Sequence, residues 1–131
     1  MAEHRIRLRG GWERLEFARG AEFHFQATLP IAWAPDAEGR TRLIRRFGRP
    51  SVDLSEVSIG LEVLDAPGLQ ALRLNGIELA IDGFPGALPI AGLLAERNTL
   101  ELEVDLNRAL ANRSEAGWGS IALVIASGPG G

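Results

Sequence analysis

The chain of 131 residues has no cysteine and no tyrosine, and all 14 of its basic residues are arginine. Without cysteine there is no thiol nucleophile, no thiolate zinc site and no disulfide framework. Without lysine there is no Schiff-base amine and no Walker-type phosphate loop. The two histidines, His4 and His24, are too isolated in sequence to make a zinc site by themselves. No apolar run approaches the length needed to span a bilayer. The opening residues, MAEHRIRLRG, alternate charge where an export signal would need an apolar stretch, which makes Asn112-Arg113-Ser114 a chance sequon. These absences describe a cytoplasmic protein with no membrane partner, no cofactor and no catalytic residue.

The rest of the composition is that of a soluble globular domain: 46% hydrophobic, 24% charged, net charge −3, which gives no reason to expect nucleic acid as a partner. A chain this long buries roughly two-thirds of its unfolded surface and folds without staples. No repeat or composition shift divides it, so residues 1–126 read as one domain, and 127–131 as a flexible tail.

The pattern inside that domain is short alternation broken by turns. Ile6 and Leu8 alternate with arginines up to Gly10-Gly11, and Leu15 and Phe17 alternate with Arg14 and Glu16. Beyond Arg19-Gly20, Phe23 and Phe25 alternate with Glu22, His24 and Gln26. Thr41 to Phe47 is the next strand, with Leu43, Arg45 and Phe47 on one face. Val57 to Val63 follows, and Thr99 to Leu106 sets Leu100, Leu102, Val104 and Leu106 inward. Ser120 to Ala126 is apolar on both faces and belongs at a sheet centre. Asn75-Gly76 fits a two-residue type I′ hairpin, with Arg73 opposite Glu78 and both Leu74 and Ile77 inward. Helix is expected only at Ile90–Ala95 and Arg108–Ala111, the latter capped by Asn107. About eight or nine short strands with turns every eight to twelve residues specify an all-β antiparallel sandwich.

Several segments, taken in order, resemble the galactose-binding-like jelly roll at the N-terminal end of family 2 glycoside hydrolases. They are Leu29-Pro30-Ile31-Ala32-Trp33, Leu43-Ile44-Arg45-Arg46-Phe47 and Arg73-Leu74-Asn75-Gly76. Phe84, Pro89-Ile90 with Leu93-Leu94, Glu96 to Leu100, and Gly117-Trp118-Gly119-Ser120-Ile121 complete the series. Leu43 stands where that family has an aromatic residue. Catalysis in those hydrolases belongs to a barrel domain that is not part of this sequence, so the resemblance implies a sugar-binding sandwich without chemistry of its own.

Two loops are the candidate contact regions: Trp33 to Arg42, and Asn107 to Trp118. Trp33 and Trp118 could stack on a pyranose or cap the core. Asp36, Glu38, Asn107 and Arg113 are the candidate hydrogen-bonding groups. Arg40, Arg42, Arg45, Arg46 and Arg49 fit either an anion site or a solvent face, with Arg45 paired to an acid across the sheet. Asp36, Glu38 and Asp82 offer oxygen ligands, but without the spacing of a calcium loop. Gly117 to Ala122 matches a dinucleotide fingerprint by accident, since a β-branched run follows it and not a helix. The sequence thus describes a non-catalytic module that recognises carbohydrate or a glycan-like small molecule. The alternative is a protein–protein interaction or scaffold module without a sugar ligand, and self-association stays open in both.

Overall fold

A computed structural model of the chain describes residues 3–18, 20–34, 39–53, 55–80, 87–111 and 117–127, apart from the side chains at 17 and 18. Ten strands form two antiparallel sheets, as the alternation requires. The smaller sheet has the order β1 (Glu3–Arg7), β10 (Ser120–Ser127), β5 (Val57–Leu64), β8 (Leu88–Pro89). The larger has the order β3 (Ala21–Ala27), β2 (Trp12–Ala18), β4 (Arg40–Gly48), β9 (Arg97–Asp105), β6 (Leu69–Leu74), β7 (Ile77–Glu78). The strand not foreseen is β8, whose two residues pair with Gly60 and Leu61 and carry no alternation to read.

The core lies between the sheets. Leu43, Leu102 and Leu72 sit side by side on adjacent strands of the larger sheet and are fully buried. They face Ile59, Leu61, Ile121 and Leu123 of the smaller one. As expected for a two-sided apolar strand, β10 is central, with Ile121 to Ile125 buried on both faces. Its last residue, Ser127, pairs with Val57 and so belongs to the sheet and not to a tail; residues 128–131 lie outside the described residues.

The outer face of the larger sheet is a lattice of opposite charges. Arg42 meets Glu101 at 3.1 Å, Arg73 meets Glu101 and Glu103 at 3.5 and 3.4 Å, and Arg40 meets Glu103 at 3.6 Å. Arg46 reaches Glu13 at 3.7 Å, and His24 pairs with Glu13 and Glu22. Arg40, Arg42 and Arg46 of the arginine run are therefore ion-paired on this face. Arg45 departs from the expected acidic pairing. It points to the core side and donates from Nε to the Gly10 carbonyl at 2.7 Å, closing the corner between the sheets.

The hairpin has the expected register, Arg73 with Glu78 and Leu74 with Ile77. Ile77 nevertheless stays 48% exposed, because β7 is a two-residue edge strand. The helical expectation at Ile90–Ala95 shrinks to one 3-10 turn at Ala91–Leu93, while Phe84 and Asp82 lie outside the described residues.

Candidate functional site

The described ends of the two loops chosen from the sequence, at Gly39 and at Leu106-Asn107, meet at one end of the sandwich. β9 ends at Asp105, and its Oδ1 accepts hydrogen bonds from the Asn107 and Arg108 amides at 3.0 and 3.4 Å. Asp105 therefore caps the six-residue helix α1 (Leu106–Ala111), and Asn107, the expected cap, lies inside it. That shift frees the Asn107 side chain, whose Oδ1 accepts from the Gly39 amide at 3.4 Å. The Leu106 amide donates to the Gly39 carbonyl at 2.8 Å. Gly39 is thus held from both sides by the start of α1. Leu106 and Ala109 anchor the helix in the core, which leaves Asn107 and Arg108 exposed.

A third segment locks the arrangement. The Asp105 amide donates to the Gly68 carbonyl at 2.8 Å. Gly68 has φ +83°, and a Cβ there would lie 2.6 Å from the Asp105 carbonyl oxygen and 2.8 Å from the Ala109 nitrogen. Only glycine allows so close an approach with that backbone.

Beneath these segments lie the two tryptophans, for which the sequence left stacking and core-capping open. Ile31 and Trp118 form a two-hydrogen-bond bridge at 2.9 and 2.8 Å. The Trp118 indole is 3% exposed and donates to the Pro67 carbonyl at 2.7 Å. Trp33 is 9% exposed and meets Trp118 edge to face, with ring centroids 5.6 Å apart. Both rings are spent on core contacts, so neither offers an open face to a sugar. Their positions beside loops did not distinguish this role from display.

Asp36, Glu38 and Arg113 lie outside the described residues. Among the sequence candidates, Asn107 is the described side chain that stands exposed at the loop end. Arg108 and Arg40 are exposed beside it; the sequence reading had weighed Arg40 within the arginine run and had passed over Arg108. Their signal was adjacency, since Arg40 follows Gly39 and Arg108 follows Asn107. Arg40 pairs with Glu103 at 3.6 Å and Arg108 with Asp105 at 3.8 Å. Among the described residues no three His, Asp or Glu side chains gather as a metal-holding group. A shallow hollow of 530 Å³ opens elsewhere, lined by Phe47, Gly48 and Glu96 to Thr99.

Two carboxylates, Glu13 and Asp53, stand apart in their electrostatics. Glu13 is held below the usual carboxylate range, chiefly by its hydrogen bond with His24, and Asp53 likewise by the Ser55 hydroxyl and amide. A proton-donating carboxyl needs a shift in the other direction.

No family model matches the sequence, and no curated protein does. Solved structures do match in shape. An FMN-binding β-glucuronidase from Facaelibacterium prausnitzii L2-6 superposes with a TM-score of 0.68 at 20% identity, over 94% of this chain and 22% of its own. A protein assigned as a β-galactosidase from Bacteroides fragilis gives 0.68 at 15% identity, over 95% and 23%. A β-D-glucuronidase of Dictyoglomus thermophilum gives 0.61 at 16% identity, over 98% and 28%. The chain spans less than a third of each of these proteins. At these identities the likeness shows the fold alone, an antiparallel β-sandwich shared with part of each of these proteins.

Proposed function

We propose that this domain is a non-catalytic module that binds carbohydrate or a glycan-like small molecule at the loop end around Gly39. The observation that carries this reading is the convergence of the two loops, with Gly39 clamped between Leu106 and Asn107. The fold likeness to domains of glycosidases supports carbohydrate as the ligand class. With the indoles buried, recognition rests on hydrogen bonds from Asn107, Arg108 and Arg40 to hydroxyl or carboxylate groups. Asp36, Glu38 and Arg113 belong to the same two loops and are proposed as further contacts.

A second reading, a protein-interaction or scaffold module, is favoured by one observation: the burial of Trp33 and Trp118 removes the stacking surface that many sugar sites use. A glycan array probed with the purified chain separates the two. Retention of a related set of glycans, lost in Asn107→Ala with Arg108→Ala, is the expected result. An array with no retained glycan at high protein concentration would overturn the sugar reading in favour of the scaffold.

A further inference from the structure

The four sheet edges seen among the described residues are unequal. β7 and β8 have two residues each, and β1 carries Glu3, Arg5 and Arg7 along its length. β3 is a regular seven-residue strand with no proline and no register shift against β2. Its residues 21–26 are all exposed, among them Phe23 at 47% and Phe25 at 43%. Long apolar edges of this kind are usually blunted, since their free main-chain groups will pair with another strand. The charges here do not blunt it, because His24 is already paired with Glu13 and Glu22.

The strand is also a near-palindrome. Ala21-Glu22-Phe23-His24-Phe25-Gln26-Ala27 reads the same in both directions about His24, except that Glu22 is mirrored by its isostere Gln26. A two-fold symmetric contact requires such self-complementarity, because each residue i meets j as j meets i. The backbone phase agrees. Ala18 and Ala21 are partners across a two-residue connection, so they form a hydrogen-bonded pair, as do Glu16 with Phe23 and Arg14 with Phe25. Consistent with this, the Leu15 carbonyl is turned to β4, where the Thr41 hydroxyl bonds it at 2.8 Å. The main-chain groups of Glu22, His24 and Gln26 therefore point outward, in the positions that antiparallel pairing about His24 would use.

We propose that β3 is a self-association edge, at which two copies of this chain pair β3 to β3, antiparallel about a two-fold axis at His24. His24 then meets its symmetry mate, and each Glu22 meets a Gln26, every such pair exchanging two main-chain hydrogen bonds. Phe23 of one copy lies beside Phe25 of the other on a single face, which covers the exposed rings. Arg14 stacks on Phe25 at 5.0 Å and orders that ring beforehand. The Glu-to-Gln break in the palindrome has a physical reason: glutamate at both positions would set like charges directly opposite each other, twice. This edge is separate from the loop end, so the inference does not depend on the binding proposal.

Sedimentation equilibrium of the full 131-residue chain and its variants tests it. The wild-type chain should dimerise reversibly. Gln26→Glu creates the two like-charge pairs and should weaken the dimer by about tenfold. The double variant Glu22→Gln with Gln26→Glu restores an acid–amide pairing and should return to wild-type affinity. His24→Pro removes the outward N–H together with the imidazole paired to Glu13 and Glu22 and should give a monomer, with His24→Ala as the control for the lost ring and unfolding curves confirming that each variant is folded. A wild-type chain that stays monomeric at millimolar concentration would overturn the proposal. So would a dimer insensitive to both Gln26→Glu and His24→Pro, or a double variant as weak as Gln26→Glu alone.

Discussion

Asn98 is 2% exposed, and both ends of its amide are used. Oδ1 accepts from the Ala95 amide at 2.8 Å and from the Asn75 side chain at 2.9 Å, while Nδ2 donates to the carbonyls of Ala95 and Phe47 at 3.0 and 3.4 Å. Asn75 in turn takes the Thr99 amide at 2.9 Å. The Asn-Gly turn is thus tied to the entry of β9 through side chains as well as through the strands. Asn98→Ala leaves these groups buried without partners and should cost on the order of 2–4 kcal/mol, read from chemical denaturation. His24 makes a second residue-scale case. Its hydrogen bond with Glu13 raises the imidazole value and lowers that of the carboxylate. The stabilisation through His24 is full below the ordinary imidazole value of about 6.5 and is lost as pH rises through the raised one. That through Glu13 is full above the ordinary carboxylate value and is lost as pH falls through the lowered one. The pair therefore acts at mildly acidic to neutral pH. An NMR titration should place the His24 midpoint above about 6.5, moving down toward it in Glu13→Gln. An unmoved midpoint would assign the shift to another neighbour, Glu22 first.

At the level of elements, the turn and register of the Asn75-Gly76 hairpin were legible because turn chemistry and alternation agree, while the exposure of Ile77 was not. Asn75 and Gly76 both have positive φ, +53° and +82°, as the type I′ turn requires. A side chain at Gly76 would meet no atom within 4 Å, so Gly76→Val probes backbone strain alone. It should cost roughly 1–3 kcal/mol, seen as a lower denaturation midpoint; an unchanged midpoint would contradict the turn. Other elements were less legible for identifiable reasons. Alternation in β2 shows a strand but not which side faces in. By register, Trp12, Arg14 and Glu16 share the face of Leu43, and Leu15 is buried on the opposite face beside Arg42 and His24. Asp105 and Asn107 are both good caps, and only the end of β9 at Asp105 decides between them. Arg45 looked like a cross-strand ion-pair partner, yet the corner at Gly10-Gly11 needs a donor for its carbonyl.

Across the whole molecule, sequence order sufficed for the sandwich and for the loops that would meet, but not for the exposure of the aromatics at their ends. Tryptophans in a loop-rich stretch are compatible with display or burial, and the choice depends on what the opposite sheet leaves unfilled. Here Trp33 and Trp118 fill the end of the core against each other. Trp118→Ala should therefore cost about 3–5 kcal/mol through cavity formation and the lost bond to Pro67, detectable as a lower melting temperature before any ligand is added. Among the described residues the exposed aromatics lie instead on β3, at Phe23 and Phe25. The molecule thus separates a polar loop end around Gly39 from an apolar edge at Phe23 and Phe25.

The binding proposal meets its most direct test in amide chemical-shift mapping of the labelled chain, titrated with a panel of methyl glycosides and uronic acids. Saturable shifts concentrated at Gly39, Arg40 and Leu106 to Ala111, and absent in Asn107→Ala with Arg108→Ala, are expected. Spectra unchanged by every sugar, or saturable shifts confined to β3 and the charged face of the larger sheet, would contradict a carbohydrate site at this end of the sandwich.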